Sequence, residues 1–372
     1  MSGSRKPNRT VNSLPSTSDS VITLAHGSGG RKMHRLIRGV FARHFRNPLL
    51  ERREDAAIFS LPGPRLSMTT DSFVVQPYFF PGGDIGKLAV CGTANDLAVM
   101  GATPIFMSAG FVITAGFRLD ELERICRSMA RTARAIGVQI VTGDTKVIES
   151  SARSSLVPPP DTNTLPGSET SPPSPDIFIN TTGIGLVRKG LRLGAEHIRA
   201  GDKIIISGSI GDHEAAIALA RGEYGFKARL ASDCASVSEL VGQILDAGIR
   251  VRMMRDPTRG GIATTLNEIA DAAGLGIIID ETHLQIRAEV RGVCDLLGLD
   301  PLYLACEGKV VFVIPPDSEQ VALATLHHNR LGRLAATIGQ VTEAQKGVWL
   351  KTRLGSLRPV LMLEGQQLPR IC

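Results

Sequence analysis

The chain has 372 residues, 43% of them hydrophobic and 4% aromatic, with 39 glycines and a net charge of +6. That length accommodates one large or two ordinary domains with a sizeable core. The glycine-rich, aromatic-poor balance favours an α/β enzyme over an all-β binding module. Residues 1–55 hold eleven Lys or Arg against Asp19, Glu51, Glu54 and Asp55, so the surplus of seven lies there and the remainder is close to neutral. This basic stretch reads as a solvated tail and a positive helix face, and nucleic-acid binding is not expected. The six cysteines form no CxxC pair. Scattered free thiols fit a reducing cytoplasm rather than a disulfide or zinc framework. A polar start and the lack of any apolar run of about 18 residues or more argue against a signal peptide and a membrane span.

In chain order, residues 1–20 are expected to be a disordered extension. Ordered sequence begins at Val21 and runs into the loop His26-Gly27-Ser28-Gly29-Gly30. A strand follows over 66–75. Asp84 then caps a helix that runs to Met100 and is closed by Gly101. A second helix is expected from an Asp120 cap, with Leu122, Ile125, Met129, Ala133 and Ile136 as its apolar stripe and Gly137 as its stop. Val138 to Val141 reads as a short buried strand leading to a turn at Gly143-Asp144-Thr145-Lys146. Residues 149–176, with seven prolines and seven serines, read as a surface insertion without fixed structure. A strand over 177–187 ends the first half, which spans 21–190. The second half, 191–365, is expected to contain strands at 203–207, 276–280 and 309–314, and helices marked by Leu240, by Ile262 to Ala273, and by Val290 to Leu297. Short strands near 338–341 and 348–352 follow, then a flexible tail over 366–372.

One chemical pattern recurs. Acidic residues stand where apolar elements meet turns: Asp55, Asp71, Asp96, Asp144 and Asp256. Carboxylates gathered at loop mouths are hard-oxygen ligands suited to Mg²⁺, which in turn neutralises nucleotide phosphates. Gly29, Gly30, Gly143, Gly260 and Gly261, with Thr145 and Thr258 in the same turns, let backbone N–H groups approach phosphate oxygens. Asn95 and Asp96 interrupt an apolar helix with poor helix formers, which suits either ligand binding or hydrogen bonds to a neighbouring loop. No Walker A pattern and no GxSxG elbow is present.

The ordered motifs HGSGG (26–30), EDAA (54–57), TTDSFVV (69–75), PGGDIGKLAVCGTANDLAVMGA (81–102), VTGDTKVI (141–148), RDPTRGG (255–261), EGK (307–309) and terminal PRIC (369–372) resemble the HypE-type nickel–iron hydrogenase maturation factors. That family lies within the PurM-like ATP-binding superfamily. The resemblance spans residues 21–372 outside the insertion. It implies two mixed α/β halves, ATP and Mg²⁺ between them, and a homodimer formed through the amino-terminal half. It also implies a reaction: a partner carbamoyltransferase loads the thiol of Cys372, ATP-driven dehydration converts the carbamoyl group to a thiocyanate, and the cyanide passes to an iron-carrying scaffold complex. Lys146 and Glu307 match positions that the family uses for proton transfer. Local readings stay open beside these: Lys146 as a phosphate ligand, Glu307 as a strand cap or a partner of Lys309. Glu54 departs from the second Asp common in related sequences. Rival readings are another PurM-like enzyme, such as a selenophosphate synthetase or thiamine-phosphate kinase, or a non-catalytic ATP-binding scaffold. Neither of those enzymes requires a terminal Cys.

Overall fold

The computed structural model describes residues 30–36, 38, 52, 55–60, 63–149, 176–222, 225, 228–363, 365, 368 and 370–372. The expectations for residues 1–20, for Gly29 and for the body of the insertion fall outside the described residues.

The chain begins with helix α1 (Arg31–Leu36) and strands β1 (Ala57–Ser60) and β2 (Arg65–Phe73). A two-residue ladder, β3 (Phe79–Phe80) with β4 (Gly83–Asp84), leads into helix α2 (Ile85–Val99). Strand β5 (Ala102–Thr114), helix α3 (Leu119–Ile136), β6 (Gln139–Ile148) and β7 (Ile177–Val187) complete the first half. The five-stranded sheet has the order β1-β2-β7-β5-β6, with β5 and β6 parallel and the other pairs antiparallel.

Asp84 caps α2 through its carboxylate, which accepts from the Lys87 N–H at 2.9 Å. Helix α2 is apolar on nearly every side, as a helix covered on two faces must be. Ile85, Leu88, Val90, Leu97 and Val99 are fully buried, each contributing roughly 1.5–3 kcal/mol of transfer free energy. Gly92 lets the helix approach the sheet, because a Cβ there would lie 2.9 Å from the Phe73 ring. Helix α3 is two-faced, burying Ile125, Met129 and Ala133, and ends at Gly137 in the left-handed conformation. Its cap is Arg118 rather than Asp120, which lies in the first turn and pairs with the Arg118 guanidinium at 2.7 Å.

The second half contains β8 (Lys203–Ile206), α4 (Asp212–Arg221), α5 (Ser238–Asp246), β9 (Met253–Arg255), α6 (Gly261–Ala273) and β10 (Gly276–Asp280). It continues through α7 (Ala288–Leu297), β11 (Val311–Ile314), α8 (Glu319–His328), β12 (Ala336–Thr342), β13 (Gly347–Lys351) and β14 (Leu357–Val360). Its seven-stranded sheet has the order β14-β13-β10-β12-β8-β11-β9. The halves meet across α2. Asn95 Nδ2 donates to the Ala235 carbonyl at 3.0 Å, and Asn95 Oδ1 accepts from the Val237 N–H at 2.9 Å. Among the described residues no helix is long and apolar enough to cross a membrane.

Candidate active site

The β2 strand alternates, so Thr69, Asp71 and Phe73 share the face that packs under α2. Asp71 is paired with Thr181, a fully buried residue whose hydroxyl donates to the Ala89 carbonyl of that helix. Gly92 and Asp96 are four residues apart on α2 and so lie on one helix face. They meet β2 at a cavity of about 210 Å³, where Thr69 Oγ1 donates to Asp96 Oδ2 at 2.7 Å. The second half supplies the opposite wall with Asp256, Thr258, Arg259 and Glu307, and Cys372 lines the cavity with them.

These acids repel one another in a desolvated space. Burial first, then the charges of Asp71, Asp256 and Asp55, push Asp96 well above the usual carboxylate range. Asp256 is pushed up to about 8, by burial and then by Asp55 and Asp71. Asp55 rises to about 6, by burial, although Arg255 Nη1 stands 3.1 Å from its Oδ1. Glu307 is 2% exposed, and burial together with Asp256, Asp233 and Asp71 also pushes it well up. Asp55 Oδ2, Asp256 Oδ2 and Glu307 Oε1 are buried and have no hydrogen-bond partner among the described residues. Buried oxygens of this kind are costly unless a proton or a cation satisfies them. The donor set is all oxygen and anionic, which fits Mg²⁺. As the side chains stand, the described residues do not close into a cluster of three ligands around one point.

The sequence expectation is met unevenly. Asp55, Asp71, Asp96, Asp256, Thr258, Glu307 and Cys372 converge on one cavity. Asn95 does not line that cavity: its amide makes the inter-half hydrogen bonds described above. Gly260 and Gly261 shape the loop without lining the cavity. Gly261 has φ +58, and a Cβ there would lie 2.6 Å from the Leu302 and Leu304 carbonyl oxygens. Gly30 accepts the first backbone bond of α1 from His34 and is likewise not part of the cavity wall.

The expected turn at Gly143, Asp144, Thr145 and Lys146 is instead the middle of β6, an exposed edge strand. Among the described residues β6 is the last strand of its sheet, and its exposure does not reflect a polar sequence: Val141 and Val147 are 57% and 63% exposed. Asp144 aligns with Gly110 and through it with Asn180 on β7, whereas Asp71 aligns with the next residue, Thr181. Asp144 and Lys146 therefore lie on the face of the sheet opposite Asp71.

Glu307 does not pair with Lys309. Lys309 Nζ binds Asp233 Oδ2 at 2.8 Å, and Asp233 Oδ1 accepts the Glu307 N–H at 3.0 Å. The carboxylate of Glu307 is thus left pointing at the cavity. Arg259 is a site residue that the sequence reading passed over, although it lies within the Asp256–Gly261 turn. Its charge is the principal influence holding down the Cys372 thiol, which burial pushes up to about 12.

The tail also departs from expectation. Its described end, residues 370–372, runs along the segment after β2: the Val74 N–H donates to the Cys372 carbonyl at 3.0 Å and the Gln76 N–H to the Arg370 carbonyl at 3.2 Å. A second cavity, of about 1050 Å³, lies on the other side of α2, where Lys87, Cys91 and Arg131 face Ser236 and His328. Asp55, Asp71, Asp96 and Asp256 are not part of it.

Two paired α/β halves enclosing an acidic cleft define the class. Residues 53–159 match the N-terminal domain, and residues 199–350 the C-terminal domain, of AIR synthase related proteins. Within that class, the chain is 46% identical over 353 residues to the carbamoyl dehydratase HypE of Rhizobium leguminosarum bv. viciae, covering 94% of this chain and 95% of that protein. A crystal structure of HypE in complex with ATP superposes with a TM-score of 0.73 at 44% identity, covering 94% of this chain and 100% of that one. The HypE structure in a HypE–HypF complex gives a TM-score of 0.77 at 41% identity, covering 88% of this chain and 99% of that one. The chain belongs to the HypE family of carbamoyl dehydratases.

Proposed function

We propose that this enzyme carries a carbamoyl group on the sulfur of its own Cys372 and, using ATP, dehydrates it to a thiocyanate for hydrogenase maturation. The observation that carries this reading is the placing of Cys372 in the wall of a cavity it shares with Asp71, Asp96, Asp256 and Glu307. A carbamoyl oxygen leaves only once it has become part of a phosphate, so the site must accept a phosphoryl donor and hold its charge. Asp71, Asp96 and Asp256, with Asp55 beside them, are placed to hold Mg²⁺, which supplies charge neutralisation for the phosphates. Arg259 orients anionic oxygen near the Cys372 sulfur. Two N–H protons must also depart. The ionised carboxylate of Glu307, which lines the same cavity as Cys372, is suited to receive the first as the carbamoyl oxygen is phosphorylated, and the second leaves with the departing phosphate.

Loading takes place with the tail out of the cleft. In the cleft the thiol is held protonated by burial, whereas attack on a carbamoyl donor needs the thiolate. The loading partner is a carbamoyltransferase of the HypF kind, and the cyanide acceptor is an iron-carrying scaffold. Lys146 completes the site from a second copy of the chain. This is supported by its position on the uncovered sheet face, where Met68, Val112, Ile148 and Leu186 are exposed. That face is the surface through which the amino-terminal halves pair as a homodimer.

The test is phosphate release from carbamoyl-loaded enzyme in the wild type and in Asp96→Asn. Removing one carboxylate from the charge-handling site should slow release by roughly 10²–10³-fold, with circular dichroism unchanged. Release within a factor of about two of wild type would remove Asp96 from the phosphate-handling group.

A further inference from the structure

The tail is held by side chains from both halves of the molecule, and none of them belongs to the acidic cavity. The Arg370 guanidinium binds Asp176 through two bonds, Nη1 to Oδ2 at 3.2 Å and Nη2 to Oδ1 at 3.0 Å. Its Nε donates to the Val74 carbonyl at 3.2 Å, and the group lies 5.8 Å from the centre of the Phe178 ring. Tyr78 Oη donates to Asp176 Oδ1 at 2.7 Å, fixing the carboxylate that receives the guanidinium. From the second half, Arg221 Nη2 donates to the Arg370 carbonyl at 2.9 Å and Arg221 Nε to the Gln76 carbonyl at 3.1 Å.

His213 closes the grip. The Ile371 carbonyl can only accept, so His213 Nε2 carries the proton and donates to it at 2.9 Å. In the neutral ring Nδ1 then accepts from Ser232 Oγ at 2.7 Å, and Ser232 Oγ in turn accepts the Cys234 N–H at 3.0 Å. Arg370, Arg221 and His213 each bond across the junction between the tail and the body of the molecule. Arg370 adopts φ 51, a left-handed conformation that a non-glycine residue holds only when its surroundings impose it.

A chain end held by its backbone alone frays, and a bidentate carboxylate–guanidinium pair fixes direction as well as distance. We propose that Asp176, acting through Arg370 together with Arg221 and His213, is a positioning residue that seats the tail so that the Cys372 sulfur faces Glu307 and Arg259. The latch governs the exchange between the seated tail, where dehydration occurs, and the released tail, where loading and delivery occur. This inference rests on Cys372 being the carrier, but its test separates docking from chemistry.

The experiment measures the alkylation rate of Cys372 by iodoacetamide in the full chain, read by mass of the C-terminal peptide, without ATP or carbamoyl donor. Asp176→Asn keeps the shape and removes the charge. It should expose Cys372 roughly tenfold faster than in wild type, as expected when loss of a charge-assisted bidentate pair lowers the cost of local opening. Asp176→Glu should restore slow alkylation. In the loaded enzyme, Asp176→Asn should lower the maximal dehydration rate with the KM for ATP unchanged. Arg370→Ala, with circular dichroism unchanged, should give the same fast alkylation. Wild-type alkylation rates in both Asp176→Asn and Arg370→Ala would overturn the latch, whatever happens to thiocyanate formation.

Discussion

Strands β2 and β6 lie in the same sheet, and each carries an aspartate among threonines, yet they have opposite fates. Asp71 points under α2 into a desolvated cavity with Asp96 and Asp256, while Asp144 and Lys146 lie on the uncovered face of an edge strand. The two motifs look alike because both are a hydrophilic interruption of an apolar run. What separates them is register: in a structure of period two, a shift of one residue reverses the face. A single chain therefore cannot bring Asp71 and Lys146 to the same side of the sheet. If both act in one reaction, the second must arrive on another copy.

The largest effect expected from this contrast is a complementation. Asp96→Asn and Lys146→Ala should each be nearly inactive alone. Mixed in equal amounts and allowed to exchange subunits, they should recover about a quarter of wild-type turnover, because half the dimers are mixed and each holds one intact site. No recovery despite exchange, monitored by native mass spectrometry, would place Lys146 in cis or outside the reaction.

A smaller effect concerns the crowded carboxylates. Asp256 and Asp55 have folded-state pKa values raised to about 8 and about 6 from 3.8, so in this pH range the folded state binds protons that the unfolded state has lost. Stability of the metal-free enzyme should accordingly fall as pH rises from about 4 to about 8. Mg²⁺ should offset that loss, raising Tm by roughly 5 °C or more at pH 8 and by less than half of that at pH 5. Asp256→Asn should flatten the dependence. A Mg²⁺ shift equal at both pH values would show that these acids do not hold the metal.

The smallest effect is expected away from the contrast. The segment 150–175 leaves and rejoins the sheet on either side of β5, where the Ala115 N–H donates to the Ile148 carbonyl and the Thr114 N–H to the Asp176 carbonyl, both at 2.8 Å. Replacing the segment with a short Gly-Ser linker that spans these points should change Tm by only about 1–2 °C. A fall of 10 °C or more would show that the segment packs on the core.

Much of the architecture is legible where local signals agree. The Asp84 cap and the largely apolar run after it define α2, and the Asp256–Gly261 turn announces α6. Strand β5, between β7 and β6, is not legible. Its sequence mixes Thr103, Pro104, Ser108 and Gly110 with large apolar residues, and its buried face carries no simple alternation because a register shift falls between Pro104 and Phe106. The acidic set could be read as a set, since carboxylates at loop mouths have a chemical signature. Which face each acid occupies could not, because pairing partners such as Thr181 and Gly110 lie far off in sequence. Asn95 and Asp96 show the same limit at its smallest scale: adjacent on one helix, they point to different neighbours, one to a loop and one to the cavity. The latch had no signature at all, as Asp176, His213 and Arg221 gain their meaning only from the seated tail.

The most direct measurement of the central claim is the intact mass of the C-terminal peptide after incubation with a carbamoyltransferase, carbamoyl phosphate and ATP. The account predicts a carbamoyl adduct on Cys372 that loses the mass of one water only when ATP is present, and no adduct in Cys372→Ala. An adduct mapping to Cys91, Cys126, Cys234, Cys294 or Cys306, or water loss without ATP, would contradict it.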